Sequence, residues 1–295
     1  MSELMFSALL RGRKFLRGTR IGKIIKRVPL SVATYKFLYQ CVSPRALVLA
    51  TIQDNQMYVD PRDLIIARKL LADGVWEPYQ TEVFKSSVKK GMVVVDIGAH
   101  IGYYTLLAAR LVGEQGKVFA FEPAPDNFAL LWKNVNANGY TNVTLVQKAV
   151  SNRAGIAQLL LSSENPGHHQ ICNSCADGNF VEVEAITLEE FFEDKDHRFD
   201  VIKVDAEGAE MAILQGLARI LENNGKLVYF TEFYPEAILS FGHSPEDYLK
   251  QLSDYGFTIY LINEEKKKTE QMDIASLMKL SLTENAVNLL CLREK

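Results

Sequence analysis

The sequence predicts an α/β fold in which a largely parallel sheet has helices on both faces and follows a helical extension. From residue 81 onward, strand-like apolar segments alternate with helical patterns of about 10–15 residues, as in a doubly wound sheet. The apolar run at 93–97 leads directly into a glycine turn and a helical pattern that begins near Thr105. The 295 residues are 48% hydrophobic and 23% charged, which provides enough apolar side chains for such a core.

The elements follow a regular order after an irregular beginning. Residues 1–75 are expected to form a basic, mostly helical extension with a small hairpin at 46–52 and 57–59. In the remaining domain, 76–295, helices are predicted at 79–89, 103–112, 126–137, 187–194, 209–222 and 245–255. Strands are predicted at 93–97, 117–121, 143–147, 200–205, 226–232, 257–262 and 286–293.

Two segments depart from the simple alternation. Strand-like runs at 156–161 and 181–186 flank a polar loop, so residues 155–187 are predicted to form an inserted hairpin. No strong helical pattern separates the last two strands, so we expect them to close the sheet as an antiparallel pair.

The charge of the chain is unevenly distributed. Residues 1–27 carry eight Lys and Arg against one Glu, whereas the remainder carries 25 basic and 35 acidic side chains. A basic segment interleaved with apolar residues is compatible with peripheral contact with an anionic membrane, and a solvated or frayed extension is the competing interpretation. The acidic body of the protein argues against nucleic acid as a partner.

The four cysteines, at positions 41, 172, 175 and 291, do not resemble a disulfide framework, which favours a reducing, cytoplasmic location. The Cys172-x-x-Cys175 pair follows His168 and His169 but lacks the second ligand pair of a structural zinc site, so free thiols are expected. Neither a transmembrane run of about 18 apolar residues nor a signal-peptide pattern is found.

The turn at 96–104 is the strongest indication of function. Asp96 ends an apolar strand, and Gly98 and Gly102 allow a ligand to approach the backbone at the start of the next helix. Glu122 ends the following strand, where a carboxylate can accept both hydroxyls of a ribose. The spacing G-x-x-x-G, with His100 between the glycines, is not the G-x-G-x-x-G of pyrophosphate sites. S-adenosylmethionine, which has a ribose and no pyrophosphate, therefore fits better than a dinucleotide.

Several segments together resemble the FkbM family of methyltransferases. They are Glu77-Pro78, the turn at 96–105, Phe-Glu-Pro at 121–123, Lys-Ala-Val-Ser at 148–151, Asn-Pro-Gly-His-His at 165–169 and Ile-Lys-Val-Asp-Ala-Glu-Gly-Ala-Glu at 202–210. The resemblance covers about residues 75–262. It implies a Rossmann-like class I methyltransferase fold of seven strands, S-adenosylmethionine as cofactor, and methylation of a hydroxyl on a sugar, lipid or polyketide-type molecule.

The resemblance also implies roles for individual residues. The methionine part of the cofactor would be surrounded by Gly98, His100, Gly102, Tyr103 and Thr105. Glu122 would hold the ribose, Lys148 and Ala149 would border the adenine, and Asp205 would face the methionine amino group or the acceptor. Glu77, Asp96 and Pro123 belong to the same motifs and are predicted with the cofactor-binding residues.

Methylation of an alcohol benefits from a general base, because a protonated hydroxyl is a poor nucleophile. His169, Asp205 and Glu207 are the candidates, and structural roles for each are the alternative. Glu232 ends the neighbouring strand and with Asp205 and Glu207 can form a divalent-cation site. Carboxylates often cluster at strand ends without a metal, so none is predicted.

Two other functions compete with a methyltransferase. An NAD(P)-dependent oxidoreductase is disfavoured by the glycine spacing and by the lack of a Tyr-x-x-x-Lys hydride-transfer pair. A membrane-surface binding protein with an inactive cofactor site is disfavoured because Asp96, Glu122 and Asp205 are all intact.

Overall fold

The computed structural model describes residues 5–6, 8–11, 29–160, 170–172, 179–193 and 198–294. The chain divides into two units, Met1–Trp76 and Glu77–Lys295. Most of the basic segment 1–27 lies outside the described residues, as do His168, His169 and Cys175. No helix of the described part combines the length and apolar character that a membrane span needs.

The first unit contains a helix, a hairpin and a second helix in that order. They are α1 Pro29–Val42, β1 Val48–Ile52, β2 Asn55–Val59 and α2 Ile66–Asp73. The hairpin turns at Gln53 and Asp54, whose φ angles of 49° and 62° match a two-residue turn with both residues left-handed. The predicted hairpin is therefore present, and it lies within the predicted, mostly helical region.

The second unit is built on an eight-stranded mixed sheet. Its strands are β3 Val93–Ile97, β4 Lys117–Phe121, β5 Val143–Val146, β10 Val201–Val204, β11 Lys226–Phe233, β12 Phe257–Asn263, β13 Lys268–Gln271 and β14 Val287–Glu294. The order across the sheet is β13-β12-β14-β11-β10-β3-β4-β5. The strands from β11 to β5 are parallel, whereas β14 is antiparallel to both β11 and β12. The predicted antiparallel closure is confirmed, and β13 is one strand beyond the seven expected.

The sheet order reverses between β3 and β10. The chain proceeds outward from β3 to β4 and β5, then returns to add β10 on the other side of β3. The carboxyl ends of β3 and β10 therefore bound a crevice of the kind in which doubly wound proteins bind ligands.

The inserted segment forms a smaller four-stranded sheet. Its strands are β6 Ala149–Val150, β7 Gly155–Leu160, β8 Gln170–Cys172 and β9 Phe180–Ile186, in the order β6-β9-β7-β8. The antiparallel pairing of β7 with β9 agrees with the predicted hairpin, and β6 and β8 extend it on either side.

The helices of the second unit agree with most of the predicted positions. They are α3 Pro78–Ser87, α4 Tyr103–Val112, α5 Pro125–Ala137, α6 Leu188–Phe191, α7 Glu210–Gln215, α8 Ala218–Asn223, α9 Pro235–Ser240, α10 Pro245–Asp254 and α11 Ile274–Leu280.

The predicted continuous helix 209–222 was wrong, because α7 and α8 are separate helices. Gly216 lies at the break, where an added Cβ would come within 2.8 Å of the Ser151 carbonyl oxygen. The prediction also missed α9 and α11, which have six and seven residues and are too short for a clear periodicity. The last residue of the predicted helix 187–194 lies outside the described residues, and α6 ends at Phe191.

The central strands are buried on both faces, as expected for parallel strands covered by helices. All four residues of β10 are buried, and so are four of the five in β3. Two charged residues interrupt these apolar runs, and the register pairs them: Lys203 of β10 lies beside Asp96 of β3. Both residues lie near the crevice between β3 and β10.

Candidate active site

The turn after β3 requires glycine at both of its glycine positions. Gly98 has φ +77°, and a Cβ on it would lie 1.8 Å from the carbonyl oxygen of Asp205. Gly102 has φ +97°, and its Cβ would lie 2.7 Å from the Leu131 side chain. Gly98 therefore allows the turn to pack directly against the chain that follows β10, and Gly102 allows it to pack against α5. His100 between them is also left-handed, at φ +49°.

Glu122 connects this turn to the end of β4. One carboxylate oxygen accepts the His100 amide N–H at 2.8 Å, and the other accepts the Ala124 amide N–H at 2.9 Å. Burial raises the pKa of Glu122 to about 7, although these hydrogen bonds and one with Asn127 oppose the shift. The carboxylate is thus fixed in place by three hydrogen bonds, and one of its four acceptor positions is left for a ligand.

A cleft opens at the crevice between β3 and β10, with about 520 Å³ of empty space including its open mouth. It is lined by eight of the predicted site residues: Gly98, His100, Glu122, Pro123, Lys148, Ala149, Asp205 and Glu207. These residues are far apart in sequence and come from the ends of four successive strands.

Six further residues line the cleft that sequence reasoning missed: Ile97, Phe121, Asn127, Val150, Leu159 and Ala206. Asn127 was recognisable in principle, since it lies in the first turn of α5, five residues after Glu122. Leu159 comes from β7 of the inserted segment and is buried. No local pattern in the sequence indicates that its side chain meets the cleft.

Four predicted residues lie behind the turn and are not among those that line the cleft. Asp96 is buried and accepts the Thr105 hydroxyl at 2.6 Å. The Tyr103 hydroxyl lies 3.0 Å from the Thr81 hydroxyl, also in the core. Gly102 packs against α5. In the structure these residues pack behind the turn and support it. Their assignment as cofactor contacts remains a prediction.

Glu77 also lies in this supporting layer. It has φ +41°, and its carboxylate accepts hydrogen bonds from Asn288 at 2.7 Å, Gln80 at 2.9 Å and the Tyr104 hydroxyl at 3.1 Å. Burial and the charge of Asp205 raise its pKa. These hydrogen bonds connect Glu77 to α3, α4 and β14, and its assignment as a cofactor contact stays a prediction.

Three carboxylates meet at the carboxyl ends of β10 and β11. Oxygens of Asp205, Glu207 and Glu232 all lie within 4.8 Å of one another. Burial and the neighbouring charges of Asp205 and Glu207 raise the pKa of Glu232 well above its usual range. Such a cluster can bind a cation or share a proton, and carboxylates of this kind are common without a metal.

Glu210 stabilises the loop that carries two of these carboxylates, Asp205 and Glu207. Glu210 is 1% exposed and accepts the Ala206 amide N–H at 3.0 Å and the Gly208 amide N–H at 2.9 Å. Glu207 between them has φ +50°, a conformation that costs free energy for a residue with a side chain. The Glu210 carboxylate offsets that strain and directs Glu207 to the cleft.

A doubly wound sheet, a crevice at its switch point and an anchored carboxylate after β4 define a Rossmann-like nucleotide-binding fold. The family model described as Methyltransferase FkbM domain matches residues 96–259. Because this match spans more than half of the chain, the chain belongs to the FkbM methyltransferase family. The predicted resemblance is confirmed, and the family membership identifies S-adenosylmethionine as the cofactor.

Individual proteins are more distantly similar. The chain is 28% identical over 144 residues to methyltransferase 1 of Beauveria bassiana, covering 42% of this chain and 57% of that protein. It is 26% identical over 163 residues to the hexuronic acid methyltransferase AglP of Haloferax volcanii, covering 55% and 62%. The chain thus spans less than two thirds of the length of these curated relatives.

A solved structure of a SAM-dependent methyltransferase from Aquifex aeolicus superposes with a TM-score of 0.43 at 16% identity. The superposition covers 73% of this chain and 89% of that one. It is too loose to add to the description of the fold, which rests on the strand order given above.

Proposed function

We propose that the chain is an S-adenosylmethionine-dependent methyltransferase that methylates a hydroxyl oxygen of a sugar, lipid or polyketide-type small molecule. The observation that supports it best is the convergence of the glycine turn, Glu122 and Asp205 on one cleft. The name of the relative AglP, a hexuronic acid methyltransferase, favours a sugar-like acceptor.

The cleft offers a different environment to each part of the cofactor. Glu122 is assigned to the ribose, because its carboxylate is fixed at the cleft and keeps an acceptor position for a hydroxyl. Lys148 and Ala149 are assigned to the border of the adenine, with Leu159 as an apolar neighbour. Asp205 is assigned to the methionine amino group, which is cationic and lies nearest the turn in this arrangement.

When bound, the cofactor supplies a methyl group on a sulfonium, which is already a good leaving group. The protein therefore has to align the acceptor oxygen, exclude water and accept a proton. Asp205 is engaged by the Lys203 ammonium at 2.9 Å, so its charge is already partly neutralised. Glu207 lies beside it at the cleft with Glu232, and we assign proton acceptance to Glu207, with His169 as the second candidate.

Calorimetry with S-adenosylmethionine and with NAD tests the cofactor assignment. Binding heat is expected with S-adenosylmethionine and none with NAD; the reverse result would point to an oxidoreductase and overturn the proposal. Transfer of a labelled methyl group to a panel of sugar, lipid and polyketide alcohols, tested beside matched amines and carboxylates, then tests the acceptor class. Labelling of amines or carboxylates alone would exclude a hydroxyl acceptor.

Substitution of the candidate bases separates chemistry from binding. Glu207→Gln is expected to lower kcat by about 10²-fold or more while leaving cofactor affinity nearly unchanged, because it removes the proton acceptor only. His169→Ala is the parallel test, and Glu236→Gln, on the nearby helix α9, is the control. If both Glu207→Gln and His169→Ala retain full turnover, neither residue is the base.

A further inference from the structure

Lys203 carries a buried charge, and a contribution to the stability of the fold does not explain why it is there. Its side chain is 4% exposed, in the central strand β10 between two other strands. Its neighbours Val201, Ile202 and Val204 are apolar. Removing two charges from water is costly, and a buried ion pair is often no more stabilising than apolar side chains of the same volume. A different reason for the lysine is needed.

The contacts of Lys203 are directed to one residue of the cleft. Its ammonium donates a hydrogen bond to Asp205 at 2.9 Å, and this is its only hydrogen bond among the described residues. The ring of Tyr104 lies on another side, 4.6 Å from the ammonium. Asp205 follows β10 directly, two residues after Lys203, and the hydrogen bond brings the two side chains together.

Three carboxyl groups surround the ammonium of Lys203. Asp205, Asp96 and Glu77 all act on its ammonium, and although burial favours the neutral amine, they outweigh it and raise the pKa of Lys203. One cation therefore faces three carboxyl groups. Asp205 alone of the three lines the cleft, and its side chain is 36% exposed. A cation in the cleft would therefore meet this cluster at Asp205.

We propose that Lys203 is a positioning residue for cofactor binding, which holds the Asp205 carboxylate against the cleft wall in the orientation that receives the methionine ammonium. This inference rests on the proposed function, because it takes S-adenosylmethionine as the ligand. It assigns to Lys203 no contact with the cofactor and no part in the chemical step.

A double-mutant cycle on ligand affinity tests whether Lys203 acts through Asp205. Calorimetry with S-adenosylhomocysteine, which retains the amino group but has no methyl to transfer, measures binding without turnover. Lys203→Met and Asp205→Asn are each expected to weaken binding about tenfold or more, and the double variant to be no weaker than Asp205→Asn alone. Independent, multiplying losses would overturn the proposal. Lys250→Met, at an exposed lysine paired with Glu246, is the control.

A truncated ligand separates positioning from a general structural role. 5′-Methylthioadenosine has the adenosine half of the cofactor but lacks the α-amino group of the methionine part, so Lys203→Met should leave its affinity unchanged. Equal weakening of both ligands, or of neither, would overturn the inference. If Lys203→Met does not fold, as judged by thermal unfolding without ligand, Lys203→Gln is subjected to the same comparison.

The outcome for the unmodified protein distinguishes the two proposals. If it binds neither S-adenosylhomocysteine nor 5′-methylthioadenosine, the proposed function is wrong. If it binds both and Lys203→Met does not discriminate between them, the proposed function stands and only the role of Lys203 is rejected.

Discussion

Glu122 combines a structural and a binding position in one side chain. Its two oxygens accept backbone N–H groups from the turn and from the start of α5, which keeps β4 and the turn together. Burial nevertheless holds its pKa near 7, so the carboxyl group is only partly ionised at neutral pH. The ionised form accepts ribose hydroxyls better, because it donates no proton of its own.

Cofactor affinity is therefore expected to rise with pH through about 7. Calorimetric dissociation constants measured about one and a half units on either side of that pH should differ by several-fold in the unmodified protein. Glu122→Gln should weaken binding by about tenfold at high pH and abolish the dependence. If Glu122→Gln shows an equally steep pH dependence of cofactor affinity, a group other than Glu122 is responsible for that dependence.

Gly98 occupies a position with almost no room for a side chain. In Gly98→Ala the new Cβ would meet the carbonyl oxygen of Asp205 at 1.8 Å, and φ would remain at +77°. We expect a loss of about 2–4 kcal/mol in the free energy of unfolding and loss of cofactor binding. Gly139→Ala is the matched control, since its φ is +66° with open space around the Cβ. Similar losses in chemical denaturation of both variants would show that the close approach does not matter.

At the scale of elements, the loop between β10 and α7 shows how a buried acid shapes a site. Glu210 accepts two amide N–H groups of this loop, and burial raises its pKa to about 7. An acid whose pKa is higher in the folded state binds its proton more tightly there. Its contribution to stability is present below the ordinary pKa of 4.5 and is lost as the pH rises through about 7.

The free energy of unfolding should therefore fall between about pH 4.5 and 7, by up to about 3 kcal/mol from Glu210 alone. Urea denaturation across this range measures the fall, and it should be smaller in Glu210→Gln. Glu246→Gln, an exposed residue of α10, should keep the full dependence. An unchanged slope in Glu210→Gln would mean that this carboxyl group does not titrate with folding.

At the scale of the whole molecule, the charge distribution sets residues 1–27 apart from the rest. Their basic and apolar residues suit an anionic surface, while the remainder of the chain has an excess of acidic groups. Binding of the full chain to vesicles of anionic lipid is expected, and deletion of 1–27 should remove it.

Sedimentation with anionic and neutral vesicles checks this expectation. Added salt should weaken the binding, since it screens the attraction between basic residues and lipid headgroups. If the full chain does not sediment with anionic vesicles, the proposed membrane contact is wrong.

Much of the fold follows from local patterns. The runs at 93–97 and 117–121 are strands because their apolar residues are buried on both faces. The turn at Gly98 is recognisable because only glycine tolerates its geometry, and Glu122 because it ends the next strand. The inserted hairpin and the antiparallel closure were also predicted from the order of strand-like and helical patterns along the chain. These features depend on residues close together in the chain.

The tertiary structure decided which of the predicted residues meet at the cleft. Asp96 and Thr105 pair in the core, whereas Asn127 and Leu159 line the cleft. Asn288 holds Glu77 from 211 residues away. Gly216 divides a helix because it packs against a distant loop. The sequence by itself therefore determined the strands, the turn and the family, because periodicity and glycine geometry are local. The supporting network and the cleft wall depend on how the sheet, helices and insertion pack, and only the folded chain specifies those distances.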